Sequence, residues 1–163
     1  MWDWDIQHLY ELEHLWLYLD QDEKLIAAEG SAHGGYHPLA LVLEKGRLKV
    51  YSEPGKHAFA DSPDKLKQGA WLTNLSCGPR GGSGDLLIKE MFKGQMAAST
   101  LEKRLAKAYM KAHAFSPSYD FSQVFDLKDV PCIPWETLKA WILKGLQLIS
   151  NPFIIFPTSG PSW

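Results

Sequence analysis

At 163 residues, 45% apolar and 22% charged, the chain has the length and composition of a single domain able to bury a core. Its net charge of -2 excludes a whole-molecule electrostatic footprint for nucleic acid, and two cysteines, Cys77 and Cys132, exclude a disulfide framework or a cysteine-rich zinc site. Asp3 and Asp5 stand where a signal peptide would be basic, and Lys139, Lys144, Gln147, Asn151 and Pro152 interrupt the apolar run 138–156, so the expected address is cytoplasmic with no membrane span.

In chain order, residues 3–19 are expected to form a helix, with Leu9, Leu12, Trp16 and Leu19 on one face and an aspartate cap at Asp3 or Asp5. A strand is expected at 24–29. The run Gly30-Ser-Ala-His-Gly-Gly-Tyr-His37 has the composition of a loop. Residues 39–43 and 48–51 are β-rich and joined across 44–47, which predicts a hairpin with Gly46 at positive φ, closed by Pro54-Gly55. Ser62-Pro63 predicts an N-cap and a short helix over 62–68.

Residues 70–76, Ala-Trp-Leu-Thr-Asn-Leu-Ser, are expected as a strand running into the loop Cys77-Gly-Pro-Arg-Gly-Gly-Ser-Gly84. A helix is expected from Asp85 to about Lys93, ended by Gly94, with a short strand at 95–99. Ser99-Thr-Leu-Glu102 has capping-box spacing, and Leu101, Leu105, Ala108, Ala112 and Phe115 mark a helix face up to Ser116-Pro117. Tyr119, Phe121 and Phe125 alternate like a strand. Pro134 opens a last helix with Leu138, Trp141, Ile142, Gly145 and Ile149 on one side, followed by an expected strand at 153–156. The expected fold is α+β: one domain over 1–157, an antiparallel or mixed sheet packed by helices, an additional C-terminal helix, and a tail at 158–163.

The glycine-rich loop carries the most chemistry. A helix start offers unpaired amides and a positive dipole end, and glycines let an anion approach the backbone, so a loop of this kind suits phosphate or pyrophosphate. It lacks the Gly-Lys-Ser/Thr of a Walker loop and the spacing of a dinucleotide fingerprint. Cys77 precedes the loop, where a thiolate would be favoured, and His33, His37 or His57 could serve as its base; a buried inert thiol is the plainer reading. His33 and His37, with Glu29 and His57 nearby in the chain, could hold zinc but lack a metalloprotease motif, and Glu11-x-x-His14 occurs once where a di-iron bundle needs two copies. No metal is expected.

The order helix, hairpin, strand, Gly-rich loop, helix and a later Tyr-bearing helix resembles the GNAT acyltransferases over residues 38–115. Gly82 and Gly84 match their Gly-x-Gly, with Pro79 at the Gln/Arg position and Arg80 displaced by one; the helix Ala-Lys-Ala-Tyr109-Met-Lys-Ala-His-Ala-Phe115 looks like their Tyr-containing helix. The segment from Trp71 to Gly82 is most similar to the toxin-activating acyltransferases, with Asn74 nearest their catalytic Asp. That resemblance implies an acyl-CoA-dependent N-acyltransferase. Arg80, Gly81, Gly82, Ser83 and Gly84 would hold the coenzyme A pyrophosphate, and the 70–76 strand edge the pantetheine. Tyr109 would protonate the leaving thiolate, a carboxylate or His would deprotonate the acceptor amine, and Asn74 stands nearest the catalytic Asp position; Cys77 is a catalytic candidate only through its own Cys/His pairing.

Charge points to a second, non-catalytic reading. Residues 1–30 carry eight acids (Asp3, Asp5, Glu11, Glu13, Asp20, Asp22, Glu23, Glu29) against Lys24 alone, while 85–115 carry six bases, including Lys103, Arg104, Lys107 and Lys111 on one helix. The basic set reads as a solvated helix face. The acidic set, together with seven tryptophans, fits an accessory or immunity-type protein that binds a protein partner through an acidic, Trp-rich surface.

Overall fold

The computed structural model describes residues 2–5, 8–84, 92, 94–95, 97–128, 130–131 and 133–149. It is an α+β arrangement of short antiparallel strands followed by helices.

The N-terminal third is strand, not helix. β1 (Trp2–Asp5) pairs with β2 (His8–Leu12), and β3 (Leu15–Leu19) pairs with β4 (Leu25–Ala32), where a helix was expected over 3–19. The reason lies in Leu15-Trp-Leu-Tyr-Leu19: every residue is apolar, so polarity shows no period, but aromatic and leucine alternate. On a strand that alternation sends Trp16 and Tyr18 to one face and the leucines to the other.

The expected loop at 30–37 is likewise a hairpin. β4 continues to Ala32 and returns as β5 (Gly35–Pro38), with Ala32 opposite Gly35. The two-residue turn His33-Gly34 has both φ angles positive, 51° and 85°, as a type I′ turn requires. A second turn of this kind, Lys45-Gly46 (φ 52° and 77°), joins β6 (Leu43–Glu44) to β7 (Arg47–Leu48); the expected hairpin forms here with a ladder of only two residues a side, and 39–42 and 49–50 are not strand. β8 (Tyr51–Ser52) and β9 (Phe59–Ala60) pair around the 54–56 turn.

α1 (Pro63–Gln68) starts behind Ser62 as expected, with Pro63 in the first turn. The predicted strand at 70–76 is instead α2 (Ala70–Cys77), separated from α1 by Gly69. Its buried residues are Thr73, Ser76 and Cys77, at helical i, i+3, i+4 spacing, while Trp71 is 70% exposed. The inward stripe is made of small polar residues, so a hydrophobic template does not find it.

The capping box of α3 (Thr100–Ala112) forms as expected: Ser99 Oγ accepts from the Glu102 amide and Glu102 accepts from the Ser99 amide. Its buried face differs from the expected stripe. Ala106 and Met110 point inward, and Leu101, Ala108 and Ala112 face solvent. With Phe92 and Ile142 they form a core cluster, against which Ala98, Tyr109, Leu138 and Leu143 pack. Ile142, Leu138 and Leu143 come from α4 (Trp135–Ile149), the expected last helix, whose Trp141 is 59% exposed.

Two other expected strands are absent. Residues 97–99 lead into α3 without strand pairing, and 119–125 are irregular, broken by Tyr119 at φ 53°. The aromatic alternation there serves ring packing: Phe121 meets Tyr51 and Tyr119 edge-on. The helix expected over 85–93 (Phe92 apart), the strand at 153–156, the tail at 158–163 and Cys132 lie outside the described residues.

Candidate functional site: an open aromatic face

The three-stranded sheet β3–β4–β5 is covered on one face around Ala28 and Gly30, although Leu17 on that face is exposed, and carries an aromatic cluster on the other. On the covered face, a Cβ added to Gly30 would meet the Phe59 Cβ at 2.9 Å and a Leu39 methyl at 3.3 Å, so β9 and Leu39 pack directly on the backbone there. The open, aromatic face follows from register. Trp16 lies opposite Glu29, Tyr18 opposite Ala27, and Ser31 opposite Tyr36, which brings Trp16, Tyr18, Glu29 and Tyr36 to the same side.

These four residues line a shallow depression of about 260 Å³. Trp16, Tyr18 and Tyr36 are 39%, 45% and 72% exposed. His14 stacks nearly parallel on Trp16 (5.2 Å between centroids, 9°), and Tyr36 meets the indole edge-on at 6.1 Å. The Tyr18 hydroxyl donates to Glu29 Oε2 at 2.6 Å, and that bond, which the phenolate would lose, pushes the Tyr18 pKa up. Among the described residues Tyr18 is the one hydrogen-bond partner of the Glu29 carboxylate. At the end of the hairpin, Asp20 accepts from the amides of Asp22 and Lys24, folding the acidic turn 20–24.

A second polar cluster is buried. Glu53, 4% exposed at its side chain, takes the Thr73 hydroxyl and, at 3.4 Å, the Tyr119 hydroxyl on Oε1. His33 Nε2 stands 2.9 Å from Oε2, an ion-pair distance without the alignment of a good hydrogen bond. Burial alone would push the Glu53 carboxyl up; the His33 and Thr73 contacts outweigh it and hold the group below its ordinary range. The contact with Glu53 raises His33 against the opposing effect of burial. Glu13, counted among the surface acids by sequence, is also buried: it accepts from Ser31 Oγ and from the His33 amide. Glu13 and Glu53 thus tie the β4–β5 turn to the sheet edge, α2 and the 116–121 segment.

The residues singled out for acyl transfer occupy other settings. Asn74 and Cys77 lie on α2, and the Asn74 carbonyl accepts from the Gly78 amide. Cys77 is fully buried, with Sγ beside Gly55 and the Phe115 ring. In the glycine loop, the amides of Arg80, Gly81 and Ser83 donate to the carbonyls of Leu75, Gly78 and Arg80. Gly82 (φ 71°) lies on α3, where a Cβ would come 2.5 Å from the Lys107 carbonyl oxygen. Gly84 is a bend at the edge of the described loop. Tyr109 is two residues beyond Lys107, about 200° round the helix, and packs against the Phe92 cluster, where burial raises its pKa. Among the described residues no group of three or more His, Cys, Asp or Glu side chains is placed to hold a metal ion, and no helix is long and apolar enough to cross a membrane.

Sequence reasoning singled out neither Trp16, Tyr18 and Tyr36 nor Glu53 as site residues. The available signal was the shape alternation in 15–19 and the His-Gly turn at 33–34, which together define the register that assembles the face. Comparison with protein-family models, curated proteins and solved structures gives no match to the chain.

Proposed function

We propose that the protein is a non-catalytic binding protein that docks a basic segment of a partner protein on the open face of the β3–β4–β5 sheet. The observation that carries this reading is a carboxylate, Glu29, set among three solvent-exposed aromatic rings and flanked by the acidic turn of Asp20, Asp22 and Glu23. Exposed aromatics supply contact area at low entropic cost, and the charge selects a cationic partner while disfavouring phosphate-rich ones.

The test is calorimetric titration with a lysine- and arginine-rich peptide and with an acidic peptide of equal length. Binding of the basic peptide alone, weakened about tenfold or more between 50 and 300 mM salt, is expected. Charge reversal at Asp22, Glu23 and Glu29 together should abolish it; binding indifferent to salt and to these changes would refute the surface.

The competing reading is acyl-CoA-dependent N-acyl transfer at the 77–84 loop. It draws on Arg80 and the Gly82-x-Gly84 spacing, and it needs amides that are engaged in turn hydrogen bonds to become available. Titration of the folded protein with coenzyme A and acetyl-CoA separates the two: saturable binding lost on Arg80→Ala supports acyl transfer.

A further inference from the structure

We infer that the depression between Trp16, Tyr18, Glu29 and Tyr36 is a receptor for a single arginine side chain of the bound segment. This inference rests on the partner-binding reading above and adds the chemical class of its anchor. Three cationic groups could enter such a place: a lysine ammonium, a methylated ammonium and a guanidinium.

The geometry favours the guanidinium. Glu29, which lines the depression, gives one oxygen, Oε2, to Tyr18, and its Oε1 has no donor among the described residues. A carboxylate held in this way wants an N–H, and a trimethylammonium has none. A quaternary cation also needs rings closing round it, whereas Tyr36 is 72% exposed and the depression is shallow.

Between the two N–H-bearing cations, shape and hydration decide. His14 stacks on one face of the Trp16 indole at 9°, a contact that restrains the ring without a ligand. A guanidinium is planar and weakly hydrated; it can lie against a ring and direct an N–H fork sideways to a carboxylate at the same time. Glu29, directly opposite Trp16 across β3–β4, is on the side such a fork would reach. An ammonium is a compact, strongly hydrated charge that gives up more water for less contact. Tyr36, edge-on to Trp16, borders the same shallow depression.

The experiment is a ¹H–¹⁵N NMR titration of the whole chain, following the amides of Trp16, Glu29 and Tyr36, with peptides Lys-Gly-X-Gly-Lys in which X is arginine, lysine, trimethyllysine or citrulline. Arginine should bind about five- to tenfold more tightly than lysine or citrulline. That preference should disappear in Trp16→Ala and in Glu29→Gln, each checked for an unchanged fold by its spectrum. Four peptides binding equally and salt-sensitively at this face would overturn the arginine receptor and leave the acidic docking surface standing. Tightest binding by trimethyllysine, or an arginine preference that survives both substitutions, would also overturn it. No binding by any peptide to folded protein would remove the docking surface as well.

Discussion

Glu29 and Glu53 are the same side chain in opposite circumstances. Glu53 is buried, and its two oxygens face Thr73, Tyr119 and His33, which come from α2, the 116–121 segment and the β4–β5 turn. Glu29 has one partner, from the neighbouring strand, and otherwise faces solvent between rings. A buried carboxylate contacted from three parts of the chain, by hydrogen bonds on one oxygen and an imidazole at ion-pair distance on the other, holds those parts together. One with an oxygen left over beside exposed indole and phenol rings is suited to something outside the chain.

The contrast can be broken most directly by removing each carboxylate. Glu53→Ala leaves a buried hydroxyl and an imidazole without their acceptor and should cost about 3 kcal/mol in urea denaturation, discounted for the half-exposed His33. Glu29→Ala, which strips a group with a single surface partner, should change stability by less than about 0.5 kcal/mol. Equal losses would show that the two sites do not differ in the way described.

Gly82→Ala sharpens the comparison from the loop. A left-handed φ and a Cβ 2.5 Å from the Lys107 carbonyl predict a loss of about 2 kcal/mol in the same assay. A glycine retained for ligand approach alone would lose ligand without losing stability.

The Glu53–His33 pair also predicts a pH dependence. His33 is raised above its ordinary 6.5 in the folded state, so its contribution is full below 6.5 and is lost as pH rises through the raised value. Glu53 is lowered below its ordinary 4.5, so its contribution is full above 4.5 and is lost as pH falls through the lowered value. Stability should therefore plateau between about 4.5 and 6.5 and decline on both sides. Replacing His33 with Gln should flatten the alkaline limb in thermal melts at constant ionic strength.

The features legible in the sequence were those with a local chemical signature. The Ser99–Glu102 capping box, the Ser62-Pro63 helix start and Gly46 in its hairpin turn each depend on neighbours a few residues away, and each formed. Features that failed depended on what the tertiary structure buries. In α2 the inward stripe is Thr73, Ser76 and Cys77, with Trp71 outside, which inverts the usual rule of apolar residues inside. In β3 both faces are apolar, so the period lay in ring against leucine. For the candidate site, the acidic and Trp-rich character of the first 30 residues was readable, but the grouping was not. Trp16, Glu29 and Tyr36 are brought together by strand register, and Glu13 looked like a surface acid until Ser31 and the His33 amide closed over it.

The strand order has a kinetic consequence. Every strand pairing among the described residues joins neighbours in the chain, through connections as short as two residues. Such hairpins close on the microsecond scale because little loop entropy is lost in bringing their ends together. The slower events are the distant ones: Tyr119 reaching Glu53 across 66 positions, and Asp126 reaching Arg47 across 79. The register that gathers the aromatic face can therefore be set early and locally, before the helices dock. A substitution in the His33-Gly34 turn should slow folding more than one at Asp126, which should act mainly on the unfolding rate.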